Sequence, residues 1–429
     1  MNAVVLRGDA RRLPLPDGCV DLVVTSPPYF GLRSYTDDGA HYDGQIGSEA
    51  TPAEWLAALV GCTAEWVRVL KPSGSLFVNL GDKYSGVDPS SYRRDTQPLD
   101  TCGKTGYTDH KMLARAGTSE RSNSQRPDFG GTRPKSLLGL PWRYALACMD
   151  ELGLILRRDI IWSKPNGLPE SVTDRCRSSH EYLFHFTVQP RYYAAVDEIR
   201  EPHTAHTLRY YGPGTSARQP RRPYADDSGR GDGGGFTTVG ALGKLPGSVW
   251  DIPSQPLTVP PALGVDHFAA FPMELPRRCV LGWSPPGVCT ACGEGRRPVV
   301  DSVKLTSRPG LAVKRRGQPL MDNGGNQSRE GRAGDYRATI TGYACACPEP
   351  DAPVRPALVV DPFGGTGTTA LVAAAYGRTG VSVDLSGDYC RLARWRTADP
   401  AERARALEVP KPPPVPDGQG SLFDDMEAS

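Results

Sequence analysis

The chain of 429 residues contains no apolar run near the roughly 18 to 20 residues of a membrane span. Its opening, Met-Asn-Ala-Val-Val-Leu-Arg-Gly-Asp, lacks the shape of a signal peptide. A cytoplasmic protein with no membrane partner is therefore expected. Net charge is also scarce: Lys+Arg number 50 against Asp+Glu 48, a formal +2. Any nucleic-acid binding must then come from local basic patches and not from a global field. Hydrophobic residues make up 38% and aromatics 8%, enough for one large core, while Gly 48 and Pro 41 exceed a fifth of the chain and predict long irregular segments. Eleven unevenly spread cysteines argue against a secreted disulfide framework and for mostly reduced thiols, with room for a metal cluster. No internal repeat is present.

What the chain does contain is three ordered α/β blocks separated by polar stretches. In the first, from Asn2 to about Leu80, a strand-like Val20–Val24 precedes a helical run from Pro52 through Leu70, a Lys71-Pro72-Ser73-Gly74 turn and a strand over Ser75–Leu80. Strand, helix, strand in that order predicts a doubly wound sheet. Residues 85–134 are polar and short of aliphatics, which reads as a long mobile insertion. Order resumes near Lys135 with a helix ending at Leu152, a strand over Leu154–Trp162 and another over His180–Val188. A Gly- and Arg-rich stretch follows from Glu201 to Gly247. The last block begins near His267, is broken by a basic stretch from Gly287 to Pro356, and ends with Ala357–Thr397. Beyond it lies a Pro-rich tail, read as disordered.

Two short motifs carry the chemistry. The β-run Ala357–Asp361 leads into Pro362-Phe363-Gly364-Gly365-Thr366-Gly367-Thr368 and then a helix-compatible Ala370–Ala375. Glycines let a backbone approach a ligand closely, and the helix N-terminus behind them offers free N–H groups to a carboxylate or phosphate. A nucleotide-like ligand is the natural reading. The next strand, Thr379–Val383, ends in Asp384, a carboxylate placed to hold ribose hydroxyls. The lysine of a Walker loop is absent, which removes an ATPase. Near the N-terminus, Ser26-Pro27-Pro28-Tyr29 directly follows the strand Val20–Val24. Proline fixes φ and lacks an N–H, so carbonyls here are held outward as acceptors beside an aromatic ring.

On these motifs the chain resembles the β-group, permuted amino-methylating DNA methyltransferases. In that family a Ser/Asp-Pro-Pro-Tyr tetrad precedes the S-adenosylmethionine motif Asp-Pro-Phe-x-Gly-x-Gly-Thr-Thr. Five further segments match in order: Gly8-Asp9-Ala10, Arg68–Gly74, Asp159-Ile160-Ile161-Trp162-Ser163-Lys164-Pro165-Asn166, Ser179-His180-Glu181-Tyr182 and His267–Pro272. The resemblance implies a Rossmann-like α/β methyltransferase sheet with circularly permuted motif order and long polar insertions. Residues 1–84 would form its catalytic half, 85–134 the mobile insertion, 135–200 more of the core, and 201–250 the target-recognition region. The segment 251–286 would close over the cofactor, 287–356 would be a basic, cysteine-containing insertion, 357–397 the cofactor half and 398–429 the tail.

The implied reaction is direct transfer of the sulfonium methyl of S-adenosylmethionine to an exocyclic amine of a base flipped out of double-stranded DNA. Tyr29 would stack on the base, while Ser26 and the Pro27 carbonyl would accept from its amino hydrogens, with Pro28 completing the tetrad. The family places the cofactor against Asp361, Pro362, Phe363, Gly364, Gly365, Thr366, Gly367 and Thr368. Asp384 would take its ribose, Asp9 and Ala10 its adenine side, and His267, Phe268 and Phe271 its methionine end. No Pro-Cys dipeptide occurs, which excludes the C5-cytosine methyltransferases. Serine at the first tetrad position is commoner in N4-cytosine members, which places N4-cytosine ahead of N6-adenine. A methyltransferase for RNA or a small metabolite, and a DNA-binding protein with a dead methyltransferase fold, are the rival readings.

Cys289-x-x-Cys292 and Cys345-x-Cys347, brought together by a hairpin, would supply a four-thiolate zinc site that pins their segment. They flank a basic run including Lys314, Arg315 and Arg316, and Arg218, Arg221, Arg222 and Arg230 lie in the expected recognition span. The tail's Gln419-Gly420-Ser421-Leu422-Phe423 is similar to the Gln-x-x-Leu-Phe peptides that dock on the replicative sliding clamp. A solitary enzyme and the partner of a cognate restriction nuclease read alike.

Overall fold

In a computed structural model of the chain, the described residues are 2–31, 36–37, 40–41, 44–85, 132–133, 135–167, 169–204, 242–265, 270–304, 336–349 and 351–412. They divide into two compact units, one drawn from 1–192, 248–277 and 358–429, the other from 193–247 and 278–357. The residues of 201–250 and 287–356, read from the sequence as separate segments, thus fall largely in the second unit.

In chain order the elements begin with β1 (Ala3–Arg7), β2 (Val20–Thr25) and a hairpin of β3 (Thr36–Asp37) and β4 (Ala40–His41). Then come α1 (Pro52–Val69), β5 (Leu70–Leu80), α2 (Leu140–Leu152), β6 (Ile155–Ser163), β7 (His180–Thr187) and β8 (Val249–Asp251). The C-terminal part holds α3 (Glu274–Trp283), β9 (Val288–Cys289), β10 (Arg297–Lys304), β11 (Tyr336–Ala344), β12 (Val354–Arg355), β13 (Leu358–Asp361), α4 (Thr368–Ala375), β14 (Thr379–Asp384), α5 (Gly387–Ala398) and α6 (Pro400–Ala406).

Among the described residues the first unit is built on an eight-stranded sheet in the order β1-β14-β13-β2-β5-β7-β6-β8. It is parallel except at β7, which runs antiparallel to both β5 and β6. This is the doubly wound α/β sheet the sequence predicts. All six residues of β2 are buried, as befits a strand covered on both faces. The C-terminal β13 pairs with the N-terminal β2, so the last block of sequence completes the middle of the sheet.

One turn is corrected. Lys71–Gly74 does not separate helix from strand: it is an excursion inside β5, because Val20 pairs with Leu70 and Leu22 with Ser75. The cause is Asp21, buried in the central strand. Its carboxylate meets the Lys71 ammonium and accepts the Leu358 backbone N–H at 2.9 Å, so the chain bends back to bring the lysine in. Gly74 is required there, since a Cβ would lie 2.6 Å from the Leu70 side chain.

Helix α1 opens with a capping box between Thr51 and Glu54 and Pro52 in its first turn. Its buried face includes Trp55 and Trp66, three turns apart, and each indole N–H ties down one strand exit. Trp55 Nε1 donates to the Pro28 carbonyl at 3.1 Å and Trp66 Nε1 to the Ala10 carbonyl at 3.0 Å. In the second unit β10 and β11 form an antiparallel ladder, and β9 pairs with β12. No helix among the described residues is long and apolar enough to cross a membrane.

Candidate active site

Strand order reverses between β13 and β2: β14 and β1 extend to one side, β5 to the other. In such sheets the crevice beyond the carboxyl ends of the two middle strands binds ligands. The register pairs Val359 with Leu22 and Val360 with Val23, so the glycine loop leaving β13 and the tetrad leaving β2 emerge side by side. A hydroxyl links them from below, Thr369 Oγ1 standing 3.3 Å from the Val24 carbonyl and donating at 2.8 Å to Asp361.

The glycine loop is shaped by two different demands on its glycines. Gly364 and Gly367 pack: an added Cβ would lie 1.9 Å from Ser382 Oγ and 2.9 Å from Ala393 Cβ, respectively. Gly365 (φ +49°) is different, because a Cβ there would meet only the Phe363 carbonyl, at 3.9 Å. That face of the loop is open, at the N-terminus of α4, where free N–H groups and the helix dipole favour a negative group. Pro362 is buried, and the half-buried Phe363 ring stands edge-on to Trp66 with centroids 5.8 Å apart.

Asp361 is turned inward. Its carboxylate, 1% exposed, accepts the Phe363 N–H at 3.1 Å as well as the Thr369 hydroxyl, and burial pushes its pKa up to about 6. Asp384, at the end of β14, accepts the backbone N–H groups of Gly365 at 2.8 Å and Ser386 at 2.9 Å, so it anchors the loop directly. Asp9 lies on the same edge, since its neighbour Arg7 pairs with Asp384. Its carboxylate is held below the usual range by the Arg11 guanidinium, 2.7 Å away. Ala10 is buried under α1.

Sequence reasoning missed what stands behind this loop. The Arg396 guanidinium, buried on α5, donates to Thr366 Oγ1 at 2.7 Å and Thr368 Oγ1 at 2.6 Å, while Glu402 on α6 neutralises it at 2.9 Å. Nothing in the motif signals this pair, which is remote from the loop in sequence.

The tetrad is held by side chains from three other strands or their ends. Tyr29 Oη donates to Glu181 Oε2 at 2.7 Å and lies 3.3 Å from Ser26 Oγ. Asn79 Nδ2, on β5, donates to Glu181 Oε2 at 2.7 Å and Tyr29 Oη at 2.8 Å. Lys164, just past β6, forms an ion pair with Glu181 and sits 4.2 Å over the Trp162 ring. One side of the Tyr29 ring lies against Gly81, where a Cβ would come within 2.8 Å. Pro27 is buried; the Pro28 carbonyl is occupied by Trp55. Lys164 and Glu181 fall in two of the matching sequence segments, which was the available signal, but spacing alone gave them no task.

Of the remaining candidates, Phe271 is half-buried just before α3, whereas His267 and Phe268 lie outside the described residues. So do Arg218, Arg221, Arg222, Arg230, Lys314, Arg315, Arg316 and Gln419–Phe423. In the second unit the Sγ atoms of Cys289, Cys292, Cys345 and Cys347 all lie within 4.8 Å of one another, with Cys289–Cys347 at 3.8 Å and Cys345–Cys347 at 3.5 Å. The Cys292 backbone N–H holds the Cys289 thiol down at about 6.

Comparison with known proteins places the chain in a family. Residues 20–291 match the family model described as DNA methylase, the N6/N4 methyltransferases. The Type II methyltransferase M.Cfr9I of Citrobacter freundii is 36% identical over 291 residues, 67% of this chain and 74% of that protein. M.SmaI of Serratia marcescens is 33% identical over 286 residues, 66% and 76% of the two chains. Among solved structures, the PvuII DNA methyltransferase (cytosine-N4-specific) aligns over 95% of this chain and 91% of that one, with 15% identity and a TM-score of 0.49. With the family model covering well over half of its length, the chain belongs to the N6/N4 DNA methylase family and is an amino-methyltransferase of DNA.

Proposed function

We propose that the protein methylates the exocyclic N4 of cytosine in duplex DNA, with S-adenosylmethionine as donor. The observation that carries this reading is the shared crevice: the open face at Gly365 and the Ser26–Tyr29 tetrad leave adjacent parallel strands. The fit to the cofactor rests on that open face and on the carboxylates of Asp384 and Asp9 at the neighbouring strand ends. The backbone of Phe363–Gly367 would hold its methionine half, Asp384 its ribose and Asp9 with Ala10 its adenine side. When bound, S-adenosylmethionine supplies an electrophilic methyl group.

The chain's own residues do the positioning. The target base, flipped out at a cost of a few kcal/mol, stacks on the Tyr29 ring, while Ser26 Oγ and the Pro27 carbonyl accept its two amino hydrogens. Those bonds draw the nitrogen lone pair out of conjugation and aim it at the donor, at about 3 to 3.5 Å. A hydroxyl at the first tetrad position, in place of a carboxylate, favours cytosine over adenine, and the Type II relatives support a place in a restriction–modification pair. Mass spectrometry of nucleosides from unmethylated DNA incubated with the protein and S-adenosylmethionine tests the proposal. N4-methylcytosine, lowered about 100-fold or more by Ser26→Ala and by Tyr29→Ala, is the expected result. N6-methyladenine would overturn the choice of base, and no methylated base would overturn the activity.

The cysteine cluster fits structural zinc. A tetrahedral ion with Zn–S near 2.3 Å sets its sulfurs about 3.8 Å apart, and the observed separations, 3.8 and 3.5 Å, lie at and just under that value. Zinc would join β9 to the end of β11. Purified protein should release one zinc per chain to a chelator, and Cys292→Ser with Cys345→Ser should bind none. Zinc content below about 0.1 per chain in freshly purified protein would dismiss the site.

A further inference from the structure

The phenol of Tyr29 has one hydrogen to give, and among the described residues Glu181 Oε2 at 2.7 Å and Ser26 Oγ at 3.3 Å stand near enough to take it. The answer decides what Ser26 can do. If Tyr29 donates to Ser26, the phenol occupies a lone pair that the substrate amine needs. If Tyr29 donates to Glu181, its oxygen can accept from Ser26, and the Ser26 lone pairs stay available.

Three features settle the direction. Glu181 is ion-paired with Lys164, itself 22% exposed and seated on the Trp162 ring, and a carboxylate in that state only accepts. The Tyr29–Glu181 bond is the shorter and charge-assisted one, so it claims the hydrogen. The Asn79 amide adds donors to the same cluster: its Nδ2 reaches Glu181 Oε2 at 2.7 Å and Tyr29 Oη at 2.8 Å, and its outer reach to Ser26 Oγ is 3.4 Å. Turned over, that amide would set its oxygen against the Glu181 carboxylate, so it keeps the donating orientation although its Oδ1 is buried without a hydrogen-bond partner among the described residues.

We propose that Glu181 is a positioning residue that fixes the polarity of the hydrogen-bond chain. Its carboxylate takes the Tyr29 hydrogen, Tyr29 takes that of Ser26, and Ser26 presents lone pairs to the target amine. Lys164 is its counter-ion, and Asn79 reinforces the same direction. This rests on the amine-methylating reading above and adds the residue that makes a neutral serine behave as an obligate acceptor.

The test is a pair of double-mutant cycles on the full chain, reading kcat and the KM for S-adenosylmethionine. Glu181→Gln keeps the side chain's size and should lower kcat about tenfold or more while leaving that KM within about twofold. In a Tyr29→Phe background, where the hydroxyl that relays the polarity is gone, the same change should cost less than about twofold. In a Ser26→Asp background, where the acceptor has no hydrogen to misdirect, it should likewise be near silent. Equal losses in all backgrounds, or a loss confined to KM, would show a merely structural role and overturn the proposal. Methylation by the unsubstituted chain in the same assay tests the parent reading separately.

Discussion

The two halves of the crevice are held by opposite means. Around the glycine loop, Asp361, Thr369 and Asp384 all lie within a short stretch of chain and bond mainly to backbone N–H groups, with the buried Arg396–Glu402 pair behind them. Around the tetrad, the supports are side chains delivered by β5, β7 and the end of β6, 50 to 152 residues away in sequence. The difference suits the tasks proposed for them. A cofactor loop needs a fixed backbone shape, which local glycines and carboxylates can impose. A catalytic tetrad needs defined directions for individual hydroxyl hydrogens, and only convergent side chains can set those.

The comparison can be broken most forcefully at Arg396. Arg396→Met leaves the buried Glu402 carboxylate with only the partly exposed Arg405, 2.9 Å away, and frees Thr366 and Thr368, so it should cost about 3 kcal/mol. The double variant Arg396→Met with Glu402→Leu should cost less than that single change. Chemical denaturation with and without S-adenosylmethionine measures both; additive losses would show that the two residues do not act as a pair. On the tetrad side, Gly81→Ala drives a methyl into the Tyr29 ring. It should lower kcat about 100-fold while cofactor affinity, measured by calorimetry, stays unchanged. A matched fall in both would mean that the two halves do not move independently.

Acid should separate the halves more gently. Asp361, pushed up to about 6 by burial, contributes stability that is present below 3.8 and lost as pH rises through about 6. His185 is buried on β7, stacked on Phe77 at 4.2 Å and bonded to Ser75 at 3.1 Å; burial, with Arg157 adding to it, pulls its pKa down from 6.5 to about 3. Its contribution is present above 6.5 and lost as pH falls toward 3. Between pH 6 and 4 the two oppose, each by on the order of 1 kcal/mol per pH unit. Denaturation at pH 7, 5.5 and 4 should show Asp361→Asn losing stability on acidification more steeply than the unsubstituted chain, and His185→Gln less steeply. Parallel slopes would contradict the assignment.

Much of this was legible beforehand because the signals were local. Val20–Val24 could only be a covered strand, the glycines after Asp361 could only be a tight turn into a helix, and the cysteine pairs advertised their own spacing. The turn at Lys71–Gly74 was misread because its cause, a buried Asp21 demanding a cation, is a tertiary fact. Glu181, Lys164 and Asn79 resemble ordinary strand-end polar residues until β7 is seen to insert antiparallel beside β5. Arg396 reads as one more arginine on a basic helix until its burial behind Thr366 and Thr368 is known.

By itself, the sequence determined the alternation of strands and helices, the glycine loop, the tetrad and the family to which they point, since each depends on the spacing of neighbouring residues. Only the tertiary structure decided that β13 inserts beside β2 to bring both motifs into one crevice, which way the Tyr29 hydroxyl donates, and which buried charges are paired. Those outcomes depend on strand order and on desolvation, and neither is a property of any short stretch of chain.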